Sequence, residues 1–538
     1  MKKQIFTLLA ISFFTIQLTA QSTFQKFITV NGKLQAGDIK KAGDSGFVVT
    51  GNYRERERES PEYILLAKLD TRARLQWLRV FGNGIQWLSG ETVTICSDGG
   101  YAVAGVANES DEYAVFIVKF NYAGDLVWSK KITYTVQGFS SIYSTDITET
   151  KNGSLLITGE TSSTNAGDEF VLSMKSSSGN VNWLRTIGTI NYRETGHSIH
   201  ITEDGGFVVG GITIPDGGNY LVVKYNNKGI PEWTKTIASK NNASGVMYGI
   251  IPTLDNGYAF TGITPAGNLN YNIIAVKLNS NHNIEWSKII QRSTYDAGNA
   301  IIQIQQDSSY FIAGGENLIF HTNGFLLHLN KNGKLLSSRL SVGAGDYANY
   351  TALIRDRSSV VTAGSSHNKI LITKFDDNGN SCNDYDANDT ASKNFGVDTV
   401  NVEYVSRDIT GEVVVENFPL NELNIDAHVR VICASNNNSI AFENNNVITN
   451  DAGSFSFKLY PNPVVNDELN IAINCSKSTH ITFGIINTEG KLKLSQSIFI
   501  PAGSSTNLIN VSSLPQGVYI LRASDDKEQK TIKFVKSR

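Results

Sequence analysis

Asp98-Gly-Gly-Tyr-Ala-Val-Ala-Gly105, followed by Tyr113-Ala-Val-Phe-Ile-Val-Lys119, Asn121-Tyr-Ala-Gly124 and Leu126-Val-Trp-Ser-Lys-Lys-Ile132, decides the fold. Turn residues alternate there with short runs of β-branched and aromatic residues, the composition of strands. Asp-Gly and Asn-containing turns supply the positive φ angles that tight hairpins need. The same order recurs along the chain. Trp77, Trp128, Trp183, Trp233 and Trp286 stand 50–55 residues apart, and apolar runs close on Gly51, Gly105, Gly159, Gly211, Gly262, Gly314 and Gly364. Seven copies of four short strands, with no sustained helical periodicity, predict an all-β chain built as a seven-bladed β-propeller over residues 21–381.

In such a ring each blade needs both apolar faces covered, so the tryptophans are expected to wedge between blades. The seventh copy reaches its third strand at Lys369–Lys374 but has no tryptophan strand after Gly379. Phe24-Gln-Lys-Phe-Ile28 resembles the missing strand, with Phe24 in the tryptophan slot, and is expected to close the last blade. The sixth copy has Ser337 in that slot. Ahead of this, Met1-Lys2-Lys3, an apolar run and Leu18-Thr-Ala20 read as a signal peptide over residues 1–20. Residues 382–453 lose the repeat, gain Asn, Asp and Ser, and read as a connector with a few strands. A chain ending near 381 is accordingly expected to fold alone. Residues 454–538 alternate short strands and turns, predicting a small Ig-like β-sandwich.

The last segment carries a resemblance. Tyr460-Pro461-Asn462-Pro463, Asn487-Thr-Glu-Gly490-Lys491, Leu514-Pro-Gln-Gly517-Val-Tyr519 and a basic C-terminus resemble the C-terminal (type A) sorting domain of Bacteroidota type IX secretion cargo. The preceding repeats are similar to the propellers that open many such proteins. The resemblance implies a partner, the type IX secretion machinery, and a destination, the outer cell surface or the medium. It names no ligand.

Net charge is −3, which favours neither nucleic acid nor an anionic membrane surface. A transmembrane segment is not expected, nor a cofactor or metal, and the chain is expected to be a monomer. The alternating run Arg54–Glu59 reads as a solvated loop tip. Four cysteines are too few for a disulfide scaffold. Cys382 and Cys433 flank the connector, and whether they clip it stays open, whereas Cys96 reads as buried. His197 and His200, three apart in a strand, are expected to face opposite ways and to be poor joint metal ligands. Asp376–Asn380 lacks the closing acid of a calcium loop and reads as a hairpin turn. No nucleophile, zinc or phosphate-loop motif appears. What remains is geometry. Trp87, Tyr192, Glu194, Tyr295, Asp296, Asp346 and Tyr347 are each expected just before a first strand, where loops crowd one mouth of a propeller. Aromatics beside carboxylates suit stacking on sugars or anchoring a protein partner. The leading expectation is therefore a binding or adhesion module for a glycan or protein. The alternatives are a propeller-class glycosidase or polysaccharide lyase using funnel carboxylates, and a structural surface spacer.

Overall fold

The turns and β-branched runs around Trp128 fold into four antiparallel strands, Trp87–Ile95, Tyr101–Glu109, Glu112–Phe120 and Leu126–Tyr134, paired in chain order. The computed structural model describes residues 23–434 and 455–536, except short segments at 56–60, 85–86, 110–111, 135–140, 163–166, 190–191, 215–217, 241–244, 268–269, 293–294, 319–320, 342–348, 358, 383, 387–390, 401, 461–463, 465–466, 476, 488–490, 501–502 and 526–528. The expected signal peptide lies outside these residues. Sheets of the same plan are built from residues 33–82, 141–188, 193–239, 246–291 and 296–341. The seventh takes three strands from 349–375, and Phe24–Val30 supplies the fourth, pairing from Phe24 opposite Lys374 to Ile28 opposite Ile370.

One buried cluster lies between each successive pair of sheets. Another joins the seventh sheet to the first, with Phe24, Ile28 and Ile370 against Leu34, Val49 and Leu65. Across that junction Lys41 meets Asp356 at 2.9 Å, and the Ala36 N–H donates to Ser365 Oγ at 2.9 Å.

The tryptophans pack at these junctions. Trp77, Trp128, Trp183 and Trp286 each lie against the glycine of the turn between third and fourth strands in the next sheet. Gly229 shows why glycine is needed: its φ is +72°, and a Cβ there would come within 2.4 Å of the Trp183 ring. Trp233 instead stacks on His282 at 4.1 Å. Phe24 shares a buried cluster with Ala73, which occupies the matching turn of the first sheet at φ 52°.

A second device repeats inside the sheets. Lys68, Lys119, Lys224 and Lys277 are buried opposite the tryptophans, and their ammonium groups lie 2.7–2.8 Å from Asp44, Asp98, Asp204 and Asp255 of the first hairpin turn. Each also donates to the carbonyl of the residue that follows it. Burial alone would raise Asp204, but hydrogen bonds from Lys224, Thr202 and the Gly206 N–H outweigh it and hold the carboxyl at about 2. The turn aspartate thus serves the turn and neutralises a buried lysine.

The segment after residue 381 does something the sequence did not announce. Its strands Asp384–Asp386, Ala391–Asn394, Val397–Val400, Val405–Asp408, Val413–Asn417, Asn421–Leu423 and Ala427–Ala434 each add a fifth, antiparallel strand to one sheet. They visit the sheets in reverse order, from sixth to first, and finish on the seventh beside Phe24–Val30. Between strands this belt inserts side chains into the junctions: Phe395, Tyr404, Ile409 and Phe418 each join a different inter-sheet cluster. A Cys382–Cys433 disulfide joins its two ends, with S–S 2.06 Å. Cys96 and Cys475 are free and buried.

The chain divides into two compact units, Met1–Ala441 and Phe442–Arg538. The first includes the belt. The second holds a three-stranded sheet (Phe455–Tyr460, Glu468–Cys475, Gly503–Asn510) and a four-stranded sheet (Thr479–Asn487, Leu492–Ile500, Gly517–Ser524, Gln529–Lys536) around one buried cluster.

Candidate binding face

Every first strand carries a β-bulge at the same place. The pairing shift leaves one residue unpaired: Gly37, Glu91, Thr145 and His197 in the first four sheets, and Tyr248, Asn299 and Thr351 in the last three. A bulge re-aims the side chain it carries. All seven positions are at least partly accessible, between flanking residues that are mostly buried. Several reach the next sheet. Thr145 donates to the Gly196 carbonyl, Asn299 Nδ2 to the Tyr350 carbonyl at 2.7 Å, and Thr351 Oγ1 to the Ala36 carbonyl at 3.4 Å. His197 meets the Tyr248 ring edge-on at 5.8 Å. Burial first, then Arg193, lowers His197 to about 4, and burial lifts Tyr248 to about 12, so both are uncharged at neutral pH.

The bulge also corrects the reading of the histidines. Pairing shifts between Gly196 and Ser198, so the alternation that set His197 opposite His200 is broken there. His200 instead belongs to a polar group deeper along the first strands. Asp38 accepts the Val93 N–H of the second sheet at 3.2 Å, and Asp146 accepts the Ile199 N–H of the fourth at 2.9 Å. The Thr92 hydroxyl lies between these carboxylates, 3.2 and 3.0 Å away. Lys40 sits 2.6 Å from Asp38 and keeps 34% of its side chain accessible although protein crowds it. Burial lowers His200, opposed by Asp146. The carboxylates here are occupied by amides of neighbouring sheets, and among the described residues no His, Cys, Asp or Glu cluster is spaced to hold a metal.

The residues expected at the mouth divide into two kinds. Trp87 is 38% and Tyr295 37% exposed. Trp87 hydrogen-bonds to Glu62, which pairs with Arg54 at 3.3 Å. Beside it Asn52 Nδ2 donates to Ser89 Oγ at 3.0 Å, and Ser89 hydrogen-bonds to Glu91. Tyr295 packs on Tyr271 with ring centroids 4.8 Å apart. Tyr113 and Tyr143 make a similar pair at 4.7 Å. Tyr192 is half-buried, its N–H donating to Thr189 Oγ1 at 3.0 Å. The two acids differ from these. Glu194 is fully buried and accepts from the Thr189 N–H, Thr189 Oγ1 and Thr213 Oγ1, and Asp296, also buried, accepts the Arg292 N–H at 2.8 Å. Both hold the loop that enters their own strand. Asp346 and Tyr347 lie outside the described residues. Sequence reading missed Glu91, Tyr248 and Asn299, and it named His197 without its place on a bulge. Their one trace is a glycine inside a strand, as at Gly90, Gly196 and Gly298, which marks a bulge.

In the second unit Tyr519 is buried, its hydroxyl donating to the Pro515 carbonyl at 2.8 Å, and Gly517 opens the same strand. The Lys536 ammonium group donates to the Val511 carbonyl and pairs with Asp467, each at 2.7 Å. Tyr460 ends a strand, while Pro461, Asn462, Pro463 and Gly490 lie outside the described residues.

Residues 458–537 match the family model of the secretion system C-terminal sorting domain. The chain is therefore cargo of type IX secretion, exported to the cell surface or the extracellular space. No curated protein matches it. Among solved structures it is similar to polysaccharide lyase Uly1, at 10% identity and TM-score 0.42, over 65% of this chain and 99% of that one. It is similar also to Sqt1 from Chaetomium thermophilum, at 9% and 0.38, over 65% and 98%. A third is a protein of unknown function from Dyadobacter fermentans, at 9% and 0.37, over 66% and 98%. These scores are too low for an argument about fold or function. No described helix is long and apolar enough to cross a membrane.

Proposed function

We propose that the seven sheets are the blades of a closed seven-bladed β-propeller and that this protein, a Bacteroidota type IX cargo, works as a monomeric binding or adhesion module. The ligand, a glycan or a protein, sits on the face where the first strands begin. The observation that carries this reading is Trp87. It is the one tryptophan outside the buried apolar clusters between sheets, it is open to solvent, and polar side chains of the first and second sheets lie beside it. An aromatic face fixed beside donors and acceptors is the chemistry that recognises sugars and anchors protein partners. Tyr295 and Tyr192 extend the same face. Glu194 and Asp296 support it by holding their loops. A glycan array probed with the secreted chain tests the reading, with Trp87→Ala and Tyr295→Ala as controls. Binding should weaken by about 1–3 kcal/mol in each variant, with Tm nearly unchanged. Binding unaffected by both changes would move the site elsewhere.

A further inference from the structure

Belt strands are short, and most side chains in the four from Val397 to Leu423 point to water, leaving backbone ladders and a few inserted side chains to hold them. An edge strand of three to five residues is marginal by itself. The two ends of the belt meet at one place. Cys382 follows the seventh sheet's third strand, Cys433 lies opposite Gln25, and both are half-buried, within reach of a thiol reagent. The other two cysteines are buried, and burial pushes the Cys96 thiol up to about 12, which makes it a poor competitor for exchange.

We propose that the belt is a latch set by oxidation. In the dithiol state the belt opens and closes from its Cys433 end while the four-stranded sheets beneath it stay folded. Setting the latch forms the Sγ–Sγ bond between Cys382 and Cys433. Two electrons and two protons pass to an oxidised dithiol acceptor, a protein or small-molecule disulfide, which is reduced to its dithiol. Export carries the chain to where such acceptors operate, so the belt becomes a closed hoop only outside the reducing cytoplasm. Once closed it has no free end from which to peel, and it holds Phe24–Val30 between Lys369–Phe375 and Ala427–Ala434.

Hydrogen exchange read by mass spectrometry on the full chain tests this in three states: oxidised, reduced in place with dithiothreitol, and Cys382→Ser/Cys433→Ser. Amides within 391–434 should exchange at least tenfold faster in the last two states. Those of the second and third strands, such as Tyr101–Glu109 and Glu112–Phe120, should keep their rates. Equal protection of the belt in all three states would overturn the proposal. So would simultaneous loss of protection in every sheet, because the disulfide would then hold the whole fold. Reduction in place keeps the test decisive if the double variant fails to fold.

Discussion

Single residues decide how the sheets meet. Trp183 fills the junction between the third and fourth sheets only because Gly229 offers no side chain. Gly229→Ala should cost about 1–3 kcal/mol through the forced backbone angle and the ring contact, and Trp183→Ala about 3 kcal/mol. Urea unfolding of the two variants checks both figures. A buried acid at the same junction gives a pH test. Glu169 is fully buried and its Oε1 accepts the Tyr225 hydroxyl at 2.8 Å. Burial first, with a contribution from Glu194 and against the Tyr225 hydrogen bond, raises it from 4.5 to about 8. Between those values the folded chain keeps a proton that the unfolded chain has released, so this group's contribution is full below about pH 4.5 and is lost as pH rises through about 8. Glu169→Gln keeps the acceptor and removes the titration. The fall in urea midpoint from pH 5 to pH 8 should therefore be shallower in the variant; an unchanged slope would show that Glu169 is ionised in the fold.

At the scale of elements, legibility followed the side chains. The four-stranded repeat, the tryptophan junctions and the Phe24–Ile28 strand were readable because alternating burial and turn chemistry leave marks in the residues. The belt left none. Val405–Asp408 and Val413–Asn417 expose nearly all their side chains, and their register is carried by backbone hydrogen bonds, which any residue but proline can make. The bulges were hidden for a related reason: one extra residue breaks the two-residue period on which facing arguments rest. Of the candidate site, the aromatics were visible as exposed loop-side residues. Glu194 and Asp296 could not be told from ligand-binding acids until their loop amides were seen. Deleting residues 22–30 should separate two ladders at once, since Phe24–Val30 pairs on both edges. A melting scan should show a drop of about 5 °C for the loss of several kcal/mol, and no change would mean that the belt's last strand takes its place.

For the whole molecule, the boundary at 381 expected from composition falls inside the first compact unit, which runs to Ala441. A chain ending at 381 would lose a strand from each sheet and the disulfide. With a sequence separation of 51 between the cysteines, that bond alone corresponds to about 4 kcal/mol in the loop-entropy account. The shorter chain should melt lower and aggregate more than one ending at 441, as light scattering during a melt would show. Removing residues 455–538 should leave that unit folded but trapped in the periplasm of a secreting host, and cell fractionation that found it at the surface would sever the link between tail and route. In the proposed ring, seven sheets close on themselves inside a belt. A crystal structure of the oxidised chain tests it most directly. It should show Lys41 against Asp356 where the seventh sheet meets the first, and a fifth strand from residues 384–434 on every sheet. A gap between the first and seventh sheets, an eighth sheet in the ring, or a belt lying free of the edges would contradict it.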